Sequence, residues 1–300
     1  MLVVISLGGN ALLERGQPAT QAVQRANVTR AAAAIAAVVH AGHRVVISHG
    51  NGPQIGLLAL QAAEAGQALP LDVLGAETEG AIGYVIEREL RNVLDTRQRI
   101  ATLVTQALVD TGDPAFAQPE KPIGPVYDRA AAERLAATRG WTVKADGDKY
   151  RRVVASPKPR AILEMDVIRL LVAQDVIVVC GGGGGIPVAR DADGGFRGIE
   201  AVVDKDWASA LIAEQIGAEA LLLLTDVDAV YADWGTAHAR PIANAMSAAL
   251  RAQRFAAGSM GPKVQAACAF VDATGAAACI GNLADALAIL NGSAGTRITR

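Results

Sequence analysis

The chain has 300 residues, with 28 basic against 30 acidic side chains and a formal net charge of −2. That balance excludes a broad basic surface of the kind that holds nucleic acid. With 51% hydrophobic and 19% charged residues the chain is not disordered, and at this length it buries roughly three quarters of its surface, so it needs no disulfide or metal staple.

The apolar run Leu2–Leu7 has no basic flank and reads as a first strand buried on both faces, not as a signal peptide. A helix is predicted over Thr20–Ala41 with Gly42 as its stop, then a strand over Arg44–Ser48. Helices over Gln54–Ala65 and Ala76–Asp95 precede a strand over Ile100–Thr105. The rhythm then breaks. Residues Gln118 to Pro159 are charged and Pro-bearing, with a short polar helix at Asp128–Arg139 and a hairpin signal at Asp146-Gly147. This segment reads as a small arm protruding over a site, or as a solvated insertion. Alternation resumes with a helix over Ile162–Ala173, a strand over Val176–Val179, a helix over Trp207–Ile216 stopped by Gly217, and a strand over Ala220–Leu224. A helix over Pro262–Asp272, started by Ser259-Met-Gly-Pro262, and a strand over Ala277–Ile280 complete the series.

Strand, helix, strand in alternation predicts an α/β fold: an open αβα sandwich with a mostly parallel central sheet. The expectation is one domain over residues 1–300, with residues 118–159 as a protruding subdomain within it. No apolar run reaches the roughly 18 residues of a membrane span. The three cysteines, Cys180, Cys268 and Cys279, form no C-x-x-C pair and read as reduced thiols, so a cytoplasmic location without a membrane partner is expected.

Ligands of open α/β sheets bind at the carboxyl ends of strands. Three predicted ends carry glycine loops: Gly8-Gly9-Asn10, Gly50-Asn51-Gly52 and Gly181 to Gly185. Such loops bring backbone N–H groups close to an anion. The run fits no dinucleotide fingerprint, because Ile186 or Pro187 stands where its last glycine belongs, and the chain has no Gly-Lys dipeptide for a P-loop. Only six of the basic residues are lysines. Two are conspicuous: Lys205 lies between Asp204 and Asp206 at a loop-to-helix junction, and Lys263 occupies a first helical turn, where the helix dipole disfavours a cation. A polyanion bound between lysines and helix N-termini would resolve that conflict.

In their order along the chain, Ser6-Leu-Gly-Gly-Asn-Ala11, Ser48-His-Gly-Asn-Gly-Pro-Gln54, Lys121-Pro-Ile-Gly-Pro125, Gly182-Gly-Gly-Gly-Ile-Pro187, Val203-Asp-Lys-Asp206, Leu224-Thr-Asp-Val-Asp228 and Ser259-Met-Gly-Pro-Lys263 resemble the amino-acid-kinase family, and within it the carbamate kinase branch. The resemblance implies a homodimer and reversible phosphoryl transfer between carbamoyl phosphate and ADP, giving ATP and carbamate, with Mg²⁺. It implies a catalytic set of Lys205, Lys263, Asp206 and, from the arm, Lys121. It places Gly8, Gly9, Asn10, Gly50, Asn51 and Gly52 around the carbamate end and the transferring group. Thr225, Asp226, Val227, Tyr231 and Trp234 fall around the nucleotide; no residue is assigned as a protein metal ligand, and either Asp226 or Asp228 could approach Mg²⁺ through water. Carbamate is already an anion, so the reaction needs charge neutralisation and no general base. His49, inside the second glycine loop, then reads as a loop-orienting residue, with an acid or base as the alternative reading. Two other readings remain: a related kinase acting on another small carboxylate, and a catalytically silent nucleotide sensor.

Overall fold

The computed structural model describes residues 1–9, 17, 20–67, 69–255 and 260–300. The expected contact residue Asn10 lies outside the described residues. In chain order the first half runs β1 (Leu2–Leu7), α1 (Gln21–His40), β2 (Arg44–His49), α2 (Gly52–Glu64), α3 (Leu71–Val93), β3 (Arg99–Thr102), β4 (Gln106–Val109), β5 (Lys121–Tyr127), α4 (Arg129–Arg139), β6 (Val143–Asp146) and β7 (Lys149–Val154). There follow β8 (Pro159–Ile162), α5 (Met165–Ala173), β9 (Val176–Val179), β10 (Ile186–Arg190), β11 (Phe196–Gly198), α6 (Lys205–Gln215), β12 (Ala220–Thr225), β13 (Val230–Ala232), β14 (Arg240–Ile242), β15 (Asn244–Met246), α7 (Ser247–Arg251), α8 (Met260–Thr274), β16 (Ala277–Asn282), α9 (Ala286–Leu290) and β17 (Thr296–Thr299).

Eight strands form the central sheet in the order β15-β17-β16-β12-β1-β2-β9-β3, parallel except where β16 meets β17. Successive side chains of a strand face opposite sides, and both sides here are apolar. Val3, Ile5 and Leu7 of β1 pack with Ile35 of α1 and Ile86 of α3. Leu2 and Val4 pack on the other side with Ile212 of α6 and Phe270 of α8. This is the open three-layer arrangement expected from the sequence.

Several boundaries differ. The predicted strand Ile100–Thr105 is split: β3 ends at Thr102 and the chain turns into β4, part of a separate four-stranded sheet, β11-β10-β4-β8. Ile162 belongs to β8, so α5 starts only at Met165. The helix predicted from Ala76 starts at Leu71, directly after Pro70, and α2 starts at Gly52 with Pro53 in its first turn. Residues 121–154 contain the three-stranded sheet β5-β7-β6 and α4; the β6–β7 hairpin turns at Gly147.

The central parallel register places the consequences at one edge. Leu7 is level with Leu224 and with His49, so the chain leaves β1, β2 and β12 at the same height. Gly8 N donates to Leu224 O at 2.9 Å and Gly50 N to Leu7 O at 3.1 Å, tying these exits together.

Candidate active site

Helices α6 and α8 start at that edge. Asp204 caps α6 by accepting from Asp206 N at 2.9 Å, so Lys205 is the first helical residue rather than a loop residue. The Asp206 carboxylate stands between two ammonium groups. Its Oδ1 is ion-paired with Lys205, and Lys263 Nζ lies 3.2 Å from Oδ1 and 3.0 Å from Oδ2. Ser6 Oγ of β1 donates to Asp206 Oδ1 at 3.4 Å and accepts from Lys205 Nζ at 3.2 Å. Asp206 and Lys263 are buried. Burial pushes the Lys205 ammonium down to about 8 against the attraction of Asp206, with Lys263 adding to the depression. Burial pushes the Asp206 carboxyl up, but Lys205 and Lys263 outweigh it and hold the group well below the usual carboxylate range. One carboxylate between two lysines leaves a positive excess at two helix N-termini, which is the electrostatic demand of an anion site.

Two cavities meet at Lys205. The smaller, about 250 Å³, is lined by Gly8, Thr225, Asp226, Val227, Asp206 and Lys263 among others. The larger, about 790 Å³, is lined by Gly50, Asn51, Gly52, Gly183, Arg151 and Lys158 among others. Gly9, Lys121, Asp204, Lys205 and Pro262 border both. Lys121 reaches in from β5 and pairs with Asp204. Burial raises the Asp204 carboxyl, yet Lys121 prevails and the group is held below its ordinary range.

The third glycine loop is held from behind. Gly181, Gly183, Gly184 and Gly185 all have positive φ, between 63° and 97°, a backbone that only glycine adopts freely. Glu79 of α3 accepts from Gly182 N at 2.8 Å, from Thr105 N at 3.1 Å and from Thr105 Oγ1 at 2.5 Å, while Thr105 Oγ1 accepts from Gly181 N at 2.7 Å. Burial pushes the Glu79 carboxyl up to about 7 despite the Thr105 and Gly182 bonds. Asn51 donates to Thr78 Oγ1 at 2.9 Å. His49 is fully enclosed; its Nδ1 meets Gly50 O at 3.2 Å and its Nε2 has no hydrogen-bond partner. Burial lowers it to about 4, so the ring is neutral near pH 7 and carries no imidazolium charge into the site.

The model of the amino acid kinase family matches residues 1–282. The chain belongs to that family. Among individual relatives, the carbamate kinase of Haemophilus influenzae is 51% identical over 302 residues, covering 100% of this chain and 97% of its own. The carbamate kinase of Giardia lamblia bound to citric acid superposes with a TM-score of 0.93 at 40% identity, over 99% of this chain and 98% of the other. The same Giardia enzyme bound to AMP-PNP superposes with a TM-score of 0.90 at 39% identity, over the same shares.

In this amino acid kinase the tertiary fold brings Lys121, Lys205, Asp206, Lys263, Gly8, Gly9, Gly50, Asn51, Gly52, Thr225, Asp226 and Val227 onto the two adjoining cavities. It does not bring Tyr231 and Trp234 there. They follow β12 in the chain, ring to ring at 5.1 Å, with Trp234 66% exposed, and neither lines either of these two cavities. The structure also separates the two acids that follow β12: Asp226 lines the smaller cavity, whereas Asp228 accepts from Tyr231 OH at 3.0 and 3.1 Å.

Sequence reasoning missed the site roles of Asp204 and Glu79, whereas Gly183 belongs to the Gly181 to Gly185 loop it had singled out. Asp204 had a signal, since it adjoins Lys205 in an Asp-Lys-Asp run. Glu79 had none: it is one acid in a helix, and only the fold places it behind the glycine loop. No cluster of three or more His, Cys, Asp or Glu suited to a metal exists among the described residues, and no described helix is long and apolar enough to cross a membrane.

Proposed function

We propose that this chain is a carbamate kinase, transferring a phosphoryl group reversibly between carbamoyl phosphate and ADP. The observation that carries the reading is the Asp206 carboxylate held between Lys205 and Lys263 where two cavities meet, in a chain about half identical to a carbamate kinase along its whole length. On this reading the smaller cavity takes the nucleotide phosphates and the larger one the carbamoyl end. A terminal β-phosphate oxygen of ADP attacks the phosphorus of carbamoyl phosphate. The bond from phosphorus to the carbamate oxygen breaks, and carbamate leaves with the electron pair. Because the leaving group departs as an anion, no proton has to be delivered.

Lys205 and Lys263 neutralise charge on the transferring phosphoryl group, and Asp206 fixes both ammonium groups in place. Backbone amides of Gly9, Asn51 and Gly52 add partial positive charge without desolvating another ion, while the Gly8 and Gly50 amides hold the loops to the sheet. Lys121 comes from the arm to the carbamoyl side. The oxygen donors in the smaller cavity, the Asp226 carboxylate and the Thr225 hydroxyl, suit a hard divalent ion held mainly by phosphate and water. Mg²⁺ there would spread the charge of the two phosphates, with Asp226 as its one carboxylate. Assembly as a homodimer in the cytoplasm belongs to the same reading.

The test is a coupled assay of ATP formation from carbamoyl phosphate, ADP and Mg²⁺, run against acetyl phosphate and other acyl phosphates. Turnover preferring carbamoyl phosphate is expected. Preference for another acyl phosphate would assign a different acceptor, and nucleotide binding without turnover would leave a sensor.

A further inference from the structure

Helix α2 touches both the glycine loop and the arm. Its first residue, Gly52, lines the larger cavity and faces the Pro122 carbonyl of β5. One turn on, Gly56 meets Gly124 of β5 backbone to backbone. A Cβ on Gly56 would lie 2.0 Å from both Gly124 Cα and N, and 2.8 Å from Ile123 C. Gly124 has φ +74° and sits in the irregular stretch of β5, between Ile123 and Val126, where pairing with β7 slips. At its far end α2 is gripped again: Arg139, the last residue of α4, donates from Nη1 to Ala63 O at 2.5 Å. Between these contacts lies a separate small core, in which Ile55 and Ala59 of α2 pack with Ile123 of β5, Val154 of β7 and Leu71 and Leu74 of α3.

Such a seat leaves the arm little freedom to slide along α2. It fixes β5 at Gly124, three residues from the lysine that enters the cavity. We infer that Gly56 is a positioning residue: its lack of a side chain lets β5 lie directly on α2, and that contact sets where Lys121 stands relative to Lys205 and the glycine loop. The inference rests on the proposed role of Lys121 at the carbamoyl end. With a methyl group on Gly56, β5 must retreat by about 1.5 Å to restore ordinary carbon contacts of about 3.5 Å. A misplacement of that size at a reacting centre is worth on the order of 100-fold in rate.

The experiment compares wild type, Gly56→Ala, Lys121→Ala and the double variant in the carbamoyl phosphate assay, with ADP affinity and thermal unfolding measured alongside. The expected result is a kcat for Gly56→Ala lowered roughly 10- to 100-fold, ADP affinity unchanged, and a double variant no slower than Lys121→Ala alone. Losses that multiply in the double variant would make Gly56 a purely structural residue and overturn the inference. Wild-type turnover of Gly56→Ala in an enzyme that Lys121→Ala impairs would also overturn it. Wild-type turnover of Lys121→Ala would remove that lysine from the reaction, and the inference with it. Should Gly56→Ala fail to fold, Arg139→Ala tests the same seat from the surface. It should slow turnover roughly fivefold, the scale of one lost hydrogen bond, and add nothing to Lys121→Ala; wild-type turnover of Arg139→Ala would then refute the seat.

Discussion

Lys263 Nζ lies 3.0 Å from Asp206 Oδ2, although 57 positions separate the two residues and they stand on different helices. Lys205, next to Asp206 in the chain and only slightly exposed, joins the buried Asp206 and Lys263 in a set of two cations and one anion. Such a set is stable only as a unit, because removing the anion leaves two desolvated ammonium groups facing one another. Asp206→Asn is therefore expected to lose about 3–5 kcal/mol of stability and at least about 100-fold in kcat. Denaturant unfolding and the coupled assay check the two parts. A variant as stable and as fast as wild type would show that Asp206 does not hold the lysines.

Removing either lysine takes away a charge stabiliser, so Lys205→Ala and Lys263→Ala are each expected to lose at least about 100-fold in rate. Near-normal turnover in either variant would take that lysine out of the reaction.

The depressed Lys205 ammonium predicts a pH limb. In the free enzyme the group loses its proton as pH rises through about 8, so kcat/KM should fall above that pH. Bound phosphates favour the charged form, which moves the limb of kcat to higher pH. Lys205→Arg keeps its charge throughout and should show no limb, whatever its absolute rate. A wild-type profile flat to pH 9 contradicts the assignment.

Glu79 makes stability depend on pH. Its carboxyl titrates at about 7 in the fold against 4.5 ordinarily, so the folded state binds the proton more tightly than the unfolded one. Its contribution is most favourable below pH 4.5 and is lost as pH rises through 7. The stability of wild type relative to Glu79→Gln should fall by about 3 kcal/mol between those pH values. Denaturant midpoints of the two proteins at pH 4.5, 6 and 7.5 measure this, and a difference that stays constant would place the titration elsewhere.

Gly183 tests the glycine loop directly. It has φ +64°, and a Cβ there would lie 2.2 Å from Asn51 Nδ2. Gly183→Ala should push Asn51 off Thr78, disturb the Gly50 to Gly52 turn and lower kcat/KM by about 100-fold, while the central sheet still folds. A variant with intact kcat/KM would show that this loop does not shape the site.

The parallel strands were legible because each is a short, continuous apolar run, which is how strands buried on both faces read. Helix starts were less legible. The first residues of α2 and α6 are glycine, proline and charged residues chosen by the site, so the helices begin two residues earlier than periodicity suggested. The four-stranded sheet containing β4 and β10 escaped notice because its strands are short and Pro187 sits in one of them. Tyr231 and Trp234 stand close in sequence to Thr225 and Asp226 but line neither of the two cavities at Lys205; Tyr231 lies in β13, which pairs with β14 outside the central sheet.

By itself the sequence determined the residue types: apolar runs for a parallel sheet, glycines where backbone must approach an anion, and lysines placed at helix starts where the dipole disfavours them. Only the tertiary structure decided which of these act together. Long-range contacts carry no local periodicity. The meeting of Lys205, Asp206 and Lys263, the grip of Glu79 on Gly182 and the seating of Gly124 on Gly56 all depend on how separate elements pack, and packing is a property of the whole fold.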